Sequence, residues 1–185
     1  RYRDTRPNAS LVGMQVAELD PVSGLVERVM PAQPAEGSWP LDVDDAAVCG
    51  ELVDHGQRKA GGSFVYAFGG RNWQGQPVSS LWRGWVGNEA GDPMFRWEEL
   101  TTDETAVPPR YGAALFWSER HGKLVLVGGA ESGDATPATL LFDPSSGTTE
   151  ATSLRGDALG YRALAGASQR GDVGVLYGGR DAQGR

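Results

Sequence analysis

The chain has 185 residues, enough for one domain with a sizeable core. Its 27 glycines and 11 prolines exceed average usage, while 39% hydrophobic residues exclude a disordered tail. A net charge of −7 with no basic stripe argues against a nucleic-acid partner, and no stretch approaches the ~20 apolar residues of a membrane span.

The chain does not begin with methionine, so the lack of a leader at Arg1 says nothing about secretion. From Leu11 to Met30 two short apolar strands flank Asp20-Pro21-Val22-Ser23-Gly24, a hairpin turn by its residue types. The 31–44 connection carries Trp39 and runs into Asp42-Val43-Asp44-Asp45. Clustered carboxylates suit a hard cation, but the glycine and distal glutamate of a calcium loop are missing, so a solvated acidic turn is expected. A short strand then occupies 46–50. It holds Cys49, and a single cysteine excludes both an internal disulfide and a multi-cysteine zinc site. In Ala46-Ala47-Val48-Cys49-Gly50 it reads as a buried, inert thiol.

Phe64 to Phe68 alternates Phe64, Tyr66 and Phe68 on one face with Val65 and Ala67 on the other, predicting a strand with both faces covered. It ends in Gly69-Gly70, and Arg71-Asn72-Trp73-Gln74-Gly75 comes next. Ser80-Leu81-Trp82-Arg83-Gly84-Trp85 follows, and Phe95 to Leu100 supplies another strand. After the 101–109 connection, Arg110-Tyr111 opens another strand, and Tyr161-Arg162 opens its counterpart. Two readings stand for this pair: packing against main-chain carbonyls, or a channel mouth lined with arginine. His55 and His121 fall in strand-to-strand turns, where a histidine is expected to be solvated.

Self-similarity is the strongest signal. Gly-Gly pairs end three apolar runs at 69, 128 and 178, spaced 59 and 50 residues apart. Two copies align without a gap: Tyr111 with Tyr161, Ser118 with Ser168, Arg120 with Arg170, Leu126 with Leu176. The first and third copies are also alike just after the glycines, Arg71 to Gly75 against Arg180-Asp181-Ala182-Gln183-Gly184. Asp143-Pro144-Ser145-Ser146-Gly147 repeats the Asp20 to Gly24 turn.

These residues resemble the Kelch-repeat family, whose period is about 50 residues. Its repeat runs through an inner strand, a strand ending in Gly-Gly, a strand ending near Asp-Pro, and an outer strand often carrying Trp. Phe95-Arg96-Trp97-Glu98-Glu99-Leu100 is similar to that outer strand. The 64–100 copy departs in lacking the Asp-Pro turn, and the outer strand at 149–154 lacks Trp. The resemblance implies an all-β fold: a Kelch-type β-propeller segment of four-stranded antiparallel blades. Its boundaries would be a half blade at 11–30, blades at 45–101 and 109–154, and a half blade at 160–185. Propellers close with about 4 to 8 blades. Further blades outside this chain, from the same or another polypeptide, are therefore expected partners.

Loops after the Gly-Gly strands share a rim with the connections between blades, and ligand-binding Kelch domains use that rim. The candidate binding residues so implied are Arg71, Trp73, Trp39 and Arg180, with Arg110 at the channel mouth. The expected function is a non-catalytic module binding a protein or glycan, or scaffolding. Two alternatives are an enzyme of the copper-oxidase type completed by absent blades, and a structural subunit of a surface assembly. No catalytic residue, metal ligand or cofactor is expected within the segment: Gly-x-Ser-x-Gly, phosphate-loop and His-Glu-x-x-His motifs are all missing. With only Lys59 and Lys123 as lysines, and Ser/Thr/Gly-rich loops, the chain resembles bacterial surface Kelch proteins, implying an extracellular or cell-surface location.

Overall fold

A computed structural model describes residues 15–19, 22–31, 43–51, 62–89, 92–100, 107–131, 134–135, 139–152, 162–181 and 183. These residues form strands, turns and bends, with no helix among them. The first two strands, β1 (Gln15–Leu19) and β2 (Val26–Pro31), make an antiparallel hairpin. The turn between them includes Gly24 at φ +69, although Asp20 and Pro21 lie outside the described residues.

Strands β3 (Ala47–Gly50), β4 (Gly62–Phe68), β5 (Leu81–Glu89) and β6 (Asp92–Leu100) form a four-stranded antiparallel meander, each pairing with the next. The expected apolar strand ending at Gly69-Gly70 is β4. Trp97 on β6 sits opposite Gly84 on β5 and lies flat across it. A Cβ on Gly84 would come within 2.7 Å of that indole, so the absence of a side chain makes room for the ring. On the same pair of strands Arg83 donates to Glu98 at 2.6 Å and stacks over the Phe64 ring at 5.1 Å.

A second four-stranded meander repeats the arrangement. It contains β7 (Ala114–Ser118), β8 (Lys123–Val127), β11 (Thr139–Asp143) and β12 (Thr148–Thr152). Between β8 and β11 the chain makes a small ribbon of β9 (Ala130–Glu131) and β10 (Asp134–Ala135). The Asp-Pro turn closes β11 on β12 as its composition requires. The Asp143 carboxylate accepts from the Ser145 N–H at 2.8 Å, the Ser145 hydroxyl at 2.6 Å and the Ser146 N–H at 3.3 Å. Gly147 takes φ +71 and its N–H returns to the Asp143 carbonyl. These donors hold the Asp143 carboxyl below its ordinary pKa. The last hairpin consists of β13 (Gly166–Arg170) and β14 (Val173–Tyr177).

The two large sheets share one apolar core. Ala47, Tyr66, Phe68 and Leu81 from the first meet Leu115, Trp117, Leu124 and Leu126 from the second, with Val107 of the connection among them. Tyr66 and Trp117 stack nearly parallel with ring centroids 5.5 Å apart. Each such side chain taken out of water contributes roughly 1.5–3 kcal/mol, so this layer outweighs any single polar contact in the fold. Desolvation raises the Tyr66 phenol to about 12. The β13–β14 hairpin covers the second sheet in turn, bringing Gly174 against the Phe116 ring.

One local joint occurs three times, and it fixes how neighbouring sheets meet. A residue just before each inner strand pairs antiparallel with the residue just after each Gly-Gly: Asp44 with Arg71, Tyr111 with Ala130, Ala163 with Arg180. The next residue takes a left-handed backbone each time: Asp45 at φ +58, Gly112 at +61, Leu164 at +60. These positions are linked across sheets by main-chain bonds. The Gly112 N–H donates to the Asp45 carbonyl at 2.8 Å, and the Leu164 N–H donates to the Gly112 carbonyl at 2.7 Å. The second glycine of the first two pairs adds another link. Gly70 donates to the Arg110 carbonyl at 2.9 Å, and Gly129 donates to the Arg162 carbonyl at 2.9 Å. Left-handed φ at Gly69 and Gly128 lets the strand turn away while passing close beneath those same carbonyls.

Candidate functional site

The Trp73 loop is a direct product of this joint. Once β4 has delivered Gly69-Gly70 and Arg71 has paired with Asp44, the chain must reverse to reach β5. Asn72 organises the reversal. Its side-chain oxygen accepts from the Gln74 and Gln76 N–H groups, both at 3.0 Å. Its own N–H donates to the Gln76 carbonyl at 2.9 Å, and its carbonyl accepts from Gly75 at 2.8 Å. Asparagine suits this work because its short amide can stand in for a backbone partner two residues on. Held at the tip of this bonded loop, the Trp73 side chain is left 86% exposed. An indole of that size in water on an ordered loop forgoes a large hydrophobic gain.

Arg71 stands beside it but is already engaged. Its guanidinium is ion-paired with Asp45 and lies over the Tyr111 ring at 4.6 Å, and its Nε is buried without a hydrogen-bond partner. Arg71 thus bridges the first sheet to the start of the second. Asp45 of the expected acidic turn is neutralised by this pair, while Asp42 lies outside the described residues. Among the described residues no group of three or more His, Cys, Asp or Glu is placed to hold a metal.

Arg110 adopts the packing reading rather than the channel-mouth one. It is 1% exposed, donating from Nε to the Pro108 carbonyl and from Nη1 to the Gly128 carbonyl, both at 3.2 Å. Glu131 approaches its other amino group at 3.8 Å. Burial lowers the Arg110 pKa and the Glu131 charge opposes that. The side chain is used inside the fold and presents nothing to a ligand. Arg180 is exposed. The loop after it repeats the Asn72 arrangement, with the Gln183 N–H donating to Asp181 at 3.0 Å, the counterpart of Gln74 and Asn72. Ala182, which aligns in sequence with Trp73, lies outside the described residues. Trp39, the remaining candidate, and His55 lie outside the described residues. His121 sits exposed in the turn between β7 and β8.

Two features on the inner strands carry no signal in the sequence. Gln169 clamps β13 to β7: its oxygen accepts from the Trp117 N–H at 2.8 Å, and its amide donates to the Trp117 and Gly171 carbonyls. Ser118 donates to Asp172 at 3.0 Å just beyond. One side chain thereby satisfies a main-chain edge that neighbouring strands would otherwise leave open. A groove of about 260 Å³ lies between β7–β8 and the last hairpin, lined by Phe116, Val125, Val127, Gln169, Gly174 and Leu176. Cys49 lies on a neighbouring cleft with Val48, Phe116 and Ala167, and desolvation lifts its thiol to about 12.

Compared with protein-family models and with curated proteins, the chain matches none. Among the described residues no helix is long and apolar enough to cross a membrane.

Proposed function

We propose that the chain is a segment of a Kelch-type β-propeller that binds a protein or glycan ligand and performs no catalysis, sharing its ring with further blades of the same kind. In this reading β3–β6 forms one blade and β7, β8, β11 and β12 the next. The meander order within each sheet, the face-to-face packing through Tyr66 and Trp117, and the thrice-repeated joint support it. The observation that carries the binding function is the 86% exposure of Trp73 on a loop whose own bonds hold it in place. A pre-ordered aromatic loses little freedom when it is covered, which favours it both as a protein hot spot and as a platform for a sugar ring.

The test applies wild type and Trp73→Ala in parallel to a glycan array and to immobilised candidate proteins, with thermal unfolding of both recorded. Ligands bound by wild type and lost by the variant, at unchanged unfolding temperature, support the reading. Ligands held equally well by both remove Trp73 from it.

A further inference from the structure

The surroundings of Trp73 narrow what can cover it. An aromatic side chain anchors a protein interface where apolar neighbours close around it and exclude water. Trp73 has no such companions on its loop. The tip continues as Gln74, Gly75 and Gln76, all exposed. Among the described residues the other large apolar side chains left in water stand on the first hairpin, β3 and β14 and at Leu164. The indole is an isolated apolar plate flanked by primary amides.

Those amides are available in part. The Asn72 side chain is spent inside the loop, its oxygen on the Gln74 and Gln76 N–H groups and its nitrogen on the Gln76 side-chain oxygen at 3.4 Å. The Gln74 amide and the Gln76 amide nitrogen remain to meet a ligand, and an amide offers both donors and an acceptor. A pyranose ring matches both halves of this surface. The C–H bonds of one ring face make an apolar patch about the size of an indole face, and the hydroxyls around its edge require donors and acceptors.

Charge selects among sugars. Arg71 is held by Asp45 and lies over Tyr111, and the adjoining Asp44 side chain is exposed. These three ionic groups leave the base of the loop with net negative charge. The exposed Arg162 and Arg180 belong to the third joint, not to this one. A carboxylated or sulfated sugar on Trp73 would therefore face Asp44 without a cation in return, a repulsion that a neutral sugar escapes.

We infer that the Trp73 loop binds neutral glycans, the indole stacking on the C–H face of a pyranose while the Gln74 and Gln76 amides bond its edge hydroxyls. This rests on the binding function proposed for the loop and names its ligand class. One ring on one platform gives a dissociation constant of about a millimolar. Firm retention then requires repeated sugars, along a polymer or across a surface.

Nuclear magnetic resonance of the isotope-labelled chain tests this. The probes are cellohexaose, laminarihexaose, chitohexaose and a galactohexaose, each raised to about 10 mM, with oligogalacturonate of the same length as the acidic counterpart. Trp73→Ala identifies the Trp73 indole N–H signal by its loss. At least one neutral probe is expected to shift that signal, with magnetisation transferred from protein to sugar most strongly at the C–H protons of one ring face. Oligogalacturonate is expected to leave the signal in place. Trp73→Ala abolishes the transfer, Trp73→Phe keeps it at reduced strength, and Gln74→Ala weakens binding about fivefold. Unchanged indole signals from the other tryptophans show that the variants fold. The inference is overturned if every neutral probe leaves the Trp73 signal unmoved, if transfer to Trp73→Ala equals that to wild type, or if oligogalacturonate binds as tightly as the neutral sugars. A protein ligand that needs Trp73 when no sugar does would overturn it and leave the binding reading standing. Ligands of both kinds held equally by Trp73→Ala would remove both.

Discussion

Substituting alanine at the first glycine of each pair should have sharply different costs at three positions of the same local shape. Gly69, Gly128 and Gly178 have φ of +65, +66 and +71, so a side chain at any of them meets the left-handed penalty of about 1–2 kcal/mol. At Gly69 the added Cβ would overlap the Arg110 carbonyl oxygen and lie 3.3 Å from the Val78 oxygen. At Gly128 it would overlap the Arg162 carbonyl oxygen, with the carbonyl carbon at 3.3 Å. These are main-chain atoms, so the joint itself has to move. Moving it stretches the neighbouring Gly70 or Gly129 hydrogen bond, worth about 1 kcal/mol, and strains the packed layer by about 1–3 kcal/mol. The total is about 3–6 kcal/mol for Gly69→Ala and Gly128→Ala. At Gly178 nothing lies within 4 Å of the added atom, so only the backbone penalty of about 1–2 kcal/mol remains. Urea unfolding monitored by tryptophan fluorescence, at concentrations where the chain is monomeric, measures all three. Equal losses at Gly69 and Gly178 would refute the reasoning, since the shared φ would then account for the whole effect.

Gln169→Ala removes the partner of the Trp117 N–H and carbonyl, and should cost about 1–3 kcal/mol; hydrogen exchange at Trp117 reports the opening, and an unchanged rate would leave the clamp without a role. With its thiol lifted to about 12, Cys49 should alkylate at pH 9 on the order of a hundredfold more slowly in the native chain than in urea; equal rates would contradict the desolvated setting. The Asp143 carboxyl is depressed in the fold, so the stability it contributes is present above the ordinary aspartate value of about 4 and is lost as pH falls through the lower folded value. The unfolding-temperature difference between wild type and Asp143→Ala should therefore shrink on acidification below that window, and a difference that grows instead would reverse the sign.

Much of the fold was legible because the signals are local. Alternating apolar residues ending in Gly-Gly located β4, β8 and β14, and the composition of Asp143 to Gly147 fixed a hairpin turn. The four-stranded antiparallel sheets are what the resemblance carried by those residues implies. The candidate site was less legible, since exposure is decided by neighbours distant in sequence. Trp73 could equally have folded back over the sheet; Asn72 decides otherwise by tying the loop to itself. Arg71 gave no sign that Asp45, 26 residues earlier, and Tyr111 would occupy it. Arg110 is satisfied mostly by carbonyls, which every residue carries, so no motif announces the arrangement. Gln169 was invisible for a related reason: counted from the left-handed residues Gly112 and Leu164, its counterpart in the preceding copy is Trp117, so the position is not marked by repetition.

The joint between neighbouring sheets is written almost wholly in main-chain atoms. Carbonyls and N–H groups make the crossing bonds, and glycines clear the space for them. Side chains around such a hinge point are released from most of the duty of specifying how one unit sits on the next. Units can therefore diverge, as Asp45, Gly112 and Leu164 have at one and the same position, and can differ in length, while keeping the same main-chain bonds to their neighbours. A chain built this way can be extended, shortened or recombined unit by unit, with novelty confined to the loops and the mechanical standard carried by the backbone.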